Sequence, residues 1–118
     1  MNISRGEKHI VIEFKNSELT VDAIEKALNT VNDKYENENI ILKMDEVSDI
    51  TDEAFNSLSF WNDYVLKNKR SFIIASLIED LWDGIPEIEK THTLSEAQDI
   101  IFLEEVERDI DNHFEENY

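Results

Sequence analysis

The sequence predicts an α/β fold: a mixed, mostly parallel sheet with helices mainly on one face. Three observations carry this reading. The apolar runs Ile40-Ile41-Leu42-Lys43-Met44 and Phe72-Ile73-Ile74-Ala75 flank an amphipathic stretch. That is the spacing of a strand, a crossover helix and a second strand, which pair in parallel with a right-handed connection. The β-branched run His9-Ile10-Val11-Ile12-Glu13-Phe14 precedes another amphipathic stretch, so the alternation of strand and helix begins before the central unit. A third amphipathic stretch closes the chain after Thr93.

In order, Lys8 to Phe14 reads as a strand with Ile10, Ile12 and Phe14 on one face. Asn16-Ser17-Glu18 is a turn. Thr20 suits a helix N-cap, and Val21, Ile24, Ala27, Leu28, Val31 and Tyr35 recur at the spacing of one helical face, with Asp22 and Glu25 favourably placed in the macrodipole. The polar run Glu36-Asn37-Glu38-Asn39 ends this helix. After the Ile40 strand and the polar stretch Asp45 to Glu53, the second helix places Ala54, Leu58, Trp61 and Val65 on one stripe. Phe55 lies beside that stripe, and Phe60 and Tyr64 fall on a neighbouring face. Lys67-Asn68-Lys69-Arg70 complements its C-terminus. After the Phe72 strand, Leu77 to Ile85 suits one short helix closed by Gly84 and Pro86, and Glu87 to Thr91 a short edge strand.

The last helix has the clearest start signal. Thr93-Leu94-Ser95-Glu96 has the spacing of a capping box, and Ala97, Ile100, Ile101, Leu103, Val106, Ile110 and Phe114 continue an apolar surface. Between Ser95 and Tyr118 nine acidic residues face Arg108 alone. Such density of like charge weakens a helix, so the segment after about Arg108 is expected to be weakly held. Partner binding, a homodimer contact and a helix packed along the domain edge all remain open for it.

At 118 residues the chain is one domain, 1–118, with a core of about 8–108 and an acidic helical extension over 109–118. A net charge of −17 repels nucleic acid and anionic membrane surfaces and favours a basic partner. No apolar run approaches the ~20 residues of a membrane span. The polar start Met1-Asn2-Ile3-Ser4-Arg5 lacks the apolar core of a signal peptide, so the expected location is cytoplasmic, without membrane insertion. Without cysteine there is neither a disulfide nor thiolate chemistry. Two glycines supply no phosphate loop and no nucleophile elbow, and His9, His92 and His113 are isolated. No catalytic residue, metal or cofactor is expected.

The central unit, the entry Thr93-Leu94-Ser95-Glu96-Ala97 and the run Phe102-Leu103-Glu104-Glu105-Val106-Glu107-Arg108 together resemble the STAS domain, the fold of bacterial anti-sigma factor antagonists. The resemblance spans roughly Lys8 to Arg108. It implies an α/β sandwich of that kind and a non-enzymatic regulatory interaction module. In the family, the turn before the second helix reads Asp-Ser-(Ser/Thr)-Gly, and its first Ser is phosphorylated by a kinase-like ATPase that doubles as the anti-sigma factor. Those four positions fall here on Thr51-Asp52-Glu53-Ala54. Asp52 takes the phosphoserine's place, Thr51 replaces the acid and Ala54 the glycine, so regulation by phosphorylation is not expected there. The stretch between Ser76 and Thr93 is also several residues shorter than the family's.

The partner-binding site that the resemblance implies is therefore Thr51, Asp52 and Glu53, with Asp49 nearby. The plainer reading is a Thr cap followed by first-turn acids, which stabilise a helix start by ~0.5–2 kcal/mol without any function. Trp82, on Asp80-Leu81-Trp82-Asp83-Gly84, reads as a core lid or as a partner anchor. Two other functions remain open. One is an accessory STAS subunit regulating a transport ATPase. The other is an Asp phosphoacceptor or metal-dependent enzyme built on Asp45, Asp49 and Asp52.

Overall fold

A computed structural model describes residues 2–78 and 87–116, with side chains as far as residue 110. The elements run β1 (Asn2–Gly6), β2 (His9–Glu13), β3 (Glu18–Leu19), α1 (Val21–Lys34), β4 (Asn39–Lys43), β5 (Asp49–Ile50), α2 (Asp52–Lys67), β6 (Phe72–Ala75), β7 (Glu89–Thr91) and α3 (Leu94–Glu116). The main sheet has the order β1-β2-β4-β6-β7. β2, β4, β6 and β7 are parallel neighbours, and β1 is antiparallel to β2. Among the described residues the chain is thus an α/β protein with three helices and a mixed, mostly parallel sheet.

The winding explains where the helices lie. Each step from β2 to β4 to β6 moves in the same direction across the sheet, and right-handed crossovers then put both connecting helices on the same face. Ile10, Ile12, Ile40, Leu42, Phe72 and Ile74 point to that face and pack with Ile24, Ala27, Leu28 and Val31 of α1 and Ala54, Leu58, Trp61 and Val65 of α2. The side chains between them, Val11, Ile41, Ile73 and Ala75, point the other way. They are covered by α3 through Ala97 and Ile101, with Leu94 and Ile100 partly buried beside them. Among the described residues helices thus cover both faces, two against one. This is why Ile40 to Leu42 of β4 and the whole of β6 are apolar, as parallel strands buried on both sides must be.

The caps follow residue type. Thr20 accepts from the Ala23 amide at 3.4 Å, and α1 stops at Tyr35, whose amide donates to Val31. α2 closes through Lys69, which takes a φ of 58°, and the Arg70 amide reaches back to the Val65 carbonyl at 3.1 Å. At α3, Thr93 Oγ1 accepts from the Glu96 amide at 3.2 Å. The reciprocal bond is displaced by one residue: Glu96 Oε2 accepts from the amide of His92, not from that of Thr93.

Several elements depart from the sequence-based expectation. β1 is an added edge strand, paired through a turn in which Lys8 has a φ of 63°. Gly6 is required there, since a Cβ at that position would collide with the imidazole of His9. Glu18, expected in a turn, pairs with Asp49 in the short parallel ladder of β3 and β5. α3 is continuous to Glu116, and of the apolar surface expected along it Ala97 and Ile101 are buried whereas Leu103, Val106 and Ile110 are exposed; the side chain of Phe114 lies outside the described residues. The short helix expected over Leu77 to Ile85 falls mainly on residues 79–86, outside the described residues, as does Trp82.

α3 is pinned to the amino ends of β4 and β6 by polar side chains. Arg108 Nη2 donates to Ser71 Oγ at 2.8 Å, and Arg108 Nη1 donates to Glu105 at 2.9 Å. Ser71 Oγ in turn donates to Glu104 at 2.6 Å. Asn39, which is buried, donates to Glu105 and to the Lys8 carbonyl and accepts from the Ser71 amide, each at 2.8 Å.

Beside this network stands Glu89, an exposed residue of β7. Partial desolvation, and secondly the Glu104 carboxylate, raise its carboxyl above the usual range. A carboxyl raised on folding favours the folded state below its ordinary range, and that contribution is lost as pH rises through the folded value. Glu89→Gln removes the ionisable carboxyl, so the variant is expected to gain stability over the parent between about pH 4 and pH 7. Denaturant midpoints at the two pH values check this; a stability difference that does not change with pH contradicts it.

Candidate functional site on the second helix

The start of α2 stands at the carboxyl end of the parallel strands, where open α/β sheets present their ligand-binding loops. The β3–β5 ladder fixes the approach. The Ser48 and Asp49 amides both donate to the Ser17 carbonyl, at 2.8 and 3.1 Å, and the Thr51 amide donates to the Leu19 carbonyl at 3.1 Å. Thr51 then caps the helix in extended conformation, accepting from the Ala54 amide at 3.2 Å. Asp49, Asp52 and Glu53 are all exposed. Of the sequence-predicted site residues, Thr51 is therefore held inside the cap, and the three acids surround it with carboxylates in solvent. The cap reading of Thr51 is correct in geometry, and it leaves the role of Asp52 open.

The other acids of this region are differently used. Asp45 Oδ1 accepts from the Leu77 amide at 3.1 Å, and its Oδ2 lies 3.8 Å from Lys43 Nζ. Lys43 is held more closely by Glu13, at 3.2 Å, and this hydrogen bond draws the Glu13 carboxyl below its usual range. Asp45 thus ties the end of β4 to the segment after β6. Among the described residues no three His, Asp or Glu side chains are grouped to hold a metal ion.

Facing outward from the same helix is a feature that the sequence did not single out as a site. At intervals of three and four residues, Asp52, Asn56, Phe60, Asp63, Tyr64 and Lys67 share the side opposite the core stripe. Phe60 is 62% exposed and Tyr64 38%. Both rings are fixed from behind by Trp61, which is buried in the core. Phe60 meets it edge-on with centroids 5.9 Å apart, and Tyr64 meets it edge-on at 5.6 Å. Tyr64 also lies under the guanidinium of Arg70, 5.8 Å from the ring centroid. Burial lowers the Arg70 guanidinium from its usual range, and Tyr64 partly offsets this. The signal that could have located this surface is the run Phe60-Trp61: adjacent aromatics on a helix cannot both face the same core.

The helix is also locked laterally. Ser57 Oγ donates to Glu25 of α1 at 2.7 Å, and this bond is shielded where α1 and α2 pack together. The outward face of α2 is thus a rigid strip with an acidic end and an aromatic middle. Rings already ordered by Trp61 lose little conformational entropy when covered, the condition under which buried aromatics contribute most to association.

Against known proteins, the chain matches no family model and no curated protein. No helix among the described residues is long and apolar enough to cross a membrane.

Proposed function

We propose that this chain is a STAS-like regulatory module that works by binding another protein through the outward face of α2. The observation that carries this reading is the pair of exposed rings, Phe60 and Tyr64, held by Trp61 and continuous with the acids at the start of the helix. Aromatic anchors in a preorganised patch are the usual centre of a protein interface. The partner is an anti-sigma factor of the kinase-like ATPase type, met in the cytoplasm of a bacterium. Asp52 replaces the serine that such a partner phosphorylates. A carboxylate carries one charge, against about −1.5 to −2 and three acceptor oxygens for a phosphate. The module is accordingly held in one signalling state and is not switched at this position. Its charge favours a basic contact surface on the partner.

Affinity capture from the native host tests the class of partner. A histidine-kinase-like ATPase supports the proposal, and a transporter nucleotide-binding subunit supports the accessory-subunit alternative. Mg²⁺-dependent labelling of the chain by a small phosphodonor contradicts both. With the partner in hand, Asp52→Asn removes the charge and keeps most of the shape. Its affinity is expected to change about tenfold or more, ~1.4 kcal/mol, with little loss of stability. A loss of about 1 kcal/mol in stability with unchanged affinity makes Asp52 a helix-terminus acid only.

A further inference from the structure

α3 crosses the sheet face opposite α2 and leaves an apolar side uncovered. Phe102 is 68% exposed, Leu103 59%, Val106 40% and Ile110 50%. Alongside runs an open groove of about 420 Å³ between the helix and the β1–β2 turn. Its helical wall is made by Ile101, Phe102 and Val106, and its other wall by Glu7, Lys8 and His9. The polar groups between the walls satisfy one another. His9 Nδ1 donates to the Glu7 carbonyl at 2.8 Å, which leaves Nε2 to accept from the Gln98 amide nitrogen at 3.3 Å. What the groove offers a ligand is therefore apolar surface, and its rim offers charge. Glu7 and Asp109 line it against Lys8, Glu105 being engaged by Arg108 and Asn39, and α3 carries nine acidic residues and one arginine.

We propose that this groove and the stripe beside it are a second docking surface, and that its occupant is a basic amphipathic helix of a partner protein. Side chains at the spacing of Phe102, Val106 and Ile110 form the i, i+4, i+8 row into which a second helix sets its apolar anchors. The surrounding carboxylates complement lysines and arginines on the flanks of such a helix. A second copy of this chain is the poorer occupant, because pairing two α3 helices sets eight net negative charges against eight. A small ligand is poorer again. Such ligands are ordinarily ~70–90% enclosed, whereas this groove is open along Phe102 and the apolar stripe continues outside it to Leu103 and Ile110. The proposal is independent of the reading of α2, which lies across the sheet.

The test is fluorescence anisotropy of the full chain with a labelled lysine–leucine peptide of about 18 residues, patterned to be amphipathic as a helix. A scrambled peptide of the same composition is the control, at about 0.15 M salt. The patterned peptide is expected to bind one to one and more tightly than the scrambled one. The double variant Phe102→Ser, Val106→Ser is expected to raise Kd at least about tenfold at an unchanged melting temperature. Asp109→Lys is expected to weaken binding severalfold, and Phe60→Ser to leave it unchanged. Equal binding of the two peptides reduces the effect to net charge and overturns the proposal. So does an unchanged Kd in the double variant. A parent chain that sediments as a dimer, and as a monomer after the double substitution, assigns the surface to a second copy and overturns it as well.

Discussion

Replacing Leu58 by alanine is expected to lower the free energy of unfolding by about 2–5 kcal/mol, a large share of the ~5–15 kcal/mol that holds an ordinary domain together. Leu58 is fully buried in the larger core, at the centre of the stripe by which α2 covers the sheet. Truncation removes apolar area and leaves a cavity bounded by strands and helix, neither of which can collapse far into it. Leu66, on the same helix but 50% exposed, supplies the control. Leu66→Ala is expected to change stability by no more than about 0.5 kcal/mol. Urea unfolding of the two variants measures the contrast, and similar midpoints for both contradict the packing described.

The second large effect is expected at Asn39. Asn39→Leu keeps the approximate volume but leaves the Ser71 amide and the Lys8 carbonyl without their side-chain partners. A stranded buried polar group costs about 1–3 kcal/mol, and water can reach the Lys8 side of the site, so a total loss of about 2–4 kcal/mol is expected. The damage should be local before it is global. Arg108 and Glu105 both lose a partner at Asn39, so the second half of α3 is released first. Faster tryptic cleavage at Arg108 under native conditions reports that release. Unchanged cleavage together with unchanged stability contradicts the anchoring role of this network.

Much of the fold was legible in the chain because periodicity and burial agree. In β2 the alternation of Ile10 and Ile12 with Val11 separates the two faces. In β4 and β6 the apolar runs marked the strands, but that α3 covers their second face was not read from them, since helices were expected mainly on one face. β1 gave no such signal, since all five of its residues are exposed and no face of it is marked. The β3–β5 ladder is two residues long, below the length at which any period can be read. The second half of α3, expected to extend past the sheet, does so for a geometric reason. Leu103, Val106 and Ile110 repeat as core residues do, but strands of about five residues span only ~17 Å, and a 23-residue helix runs well past them.

At the candidate site, the cap at Thr51 was legible from residue type. The placement of Phe60 and Tyr64 off the core stripe was legible as well, with Trp61 taking the core position; that the two rings stay exposed and meet Trp61 edge-on was not. The pairing of His9 with Gln98 was beyond reach as well, since the two are distant in sequence and meet only when α3 crosses the sheet.

The measurement that bears most directly on the proposed function is the affinity of the captured partner for Phe60→Ser, by calorimetric titration beside the parent chain. Phe60 is mostly in solvent, so its loss leaves the core intact. The expected result is a Kd raised at least about tenfold, ~1.4 kcal/mol, with an unchanged melting temperature. A partner that binds Phe60→Ser as tightly as the parent contradicts the assignment of α2 as the docking face.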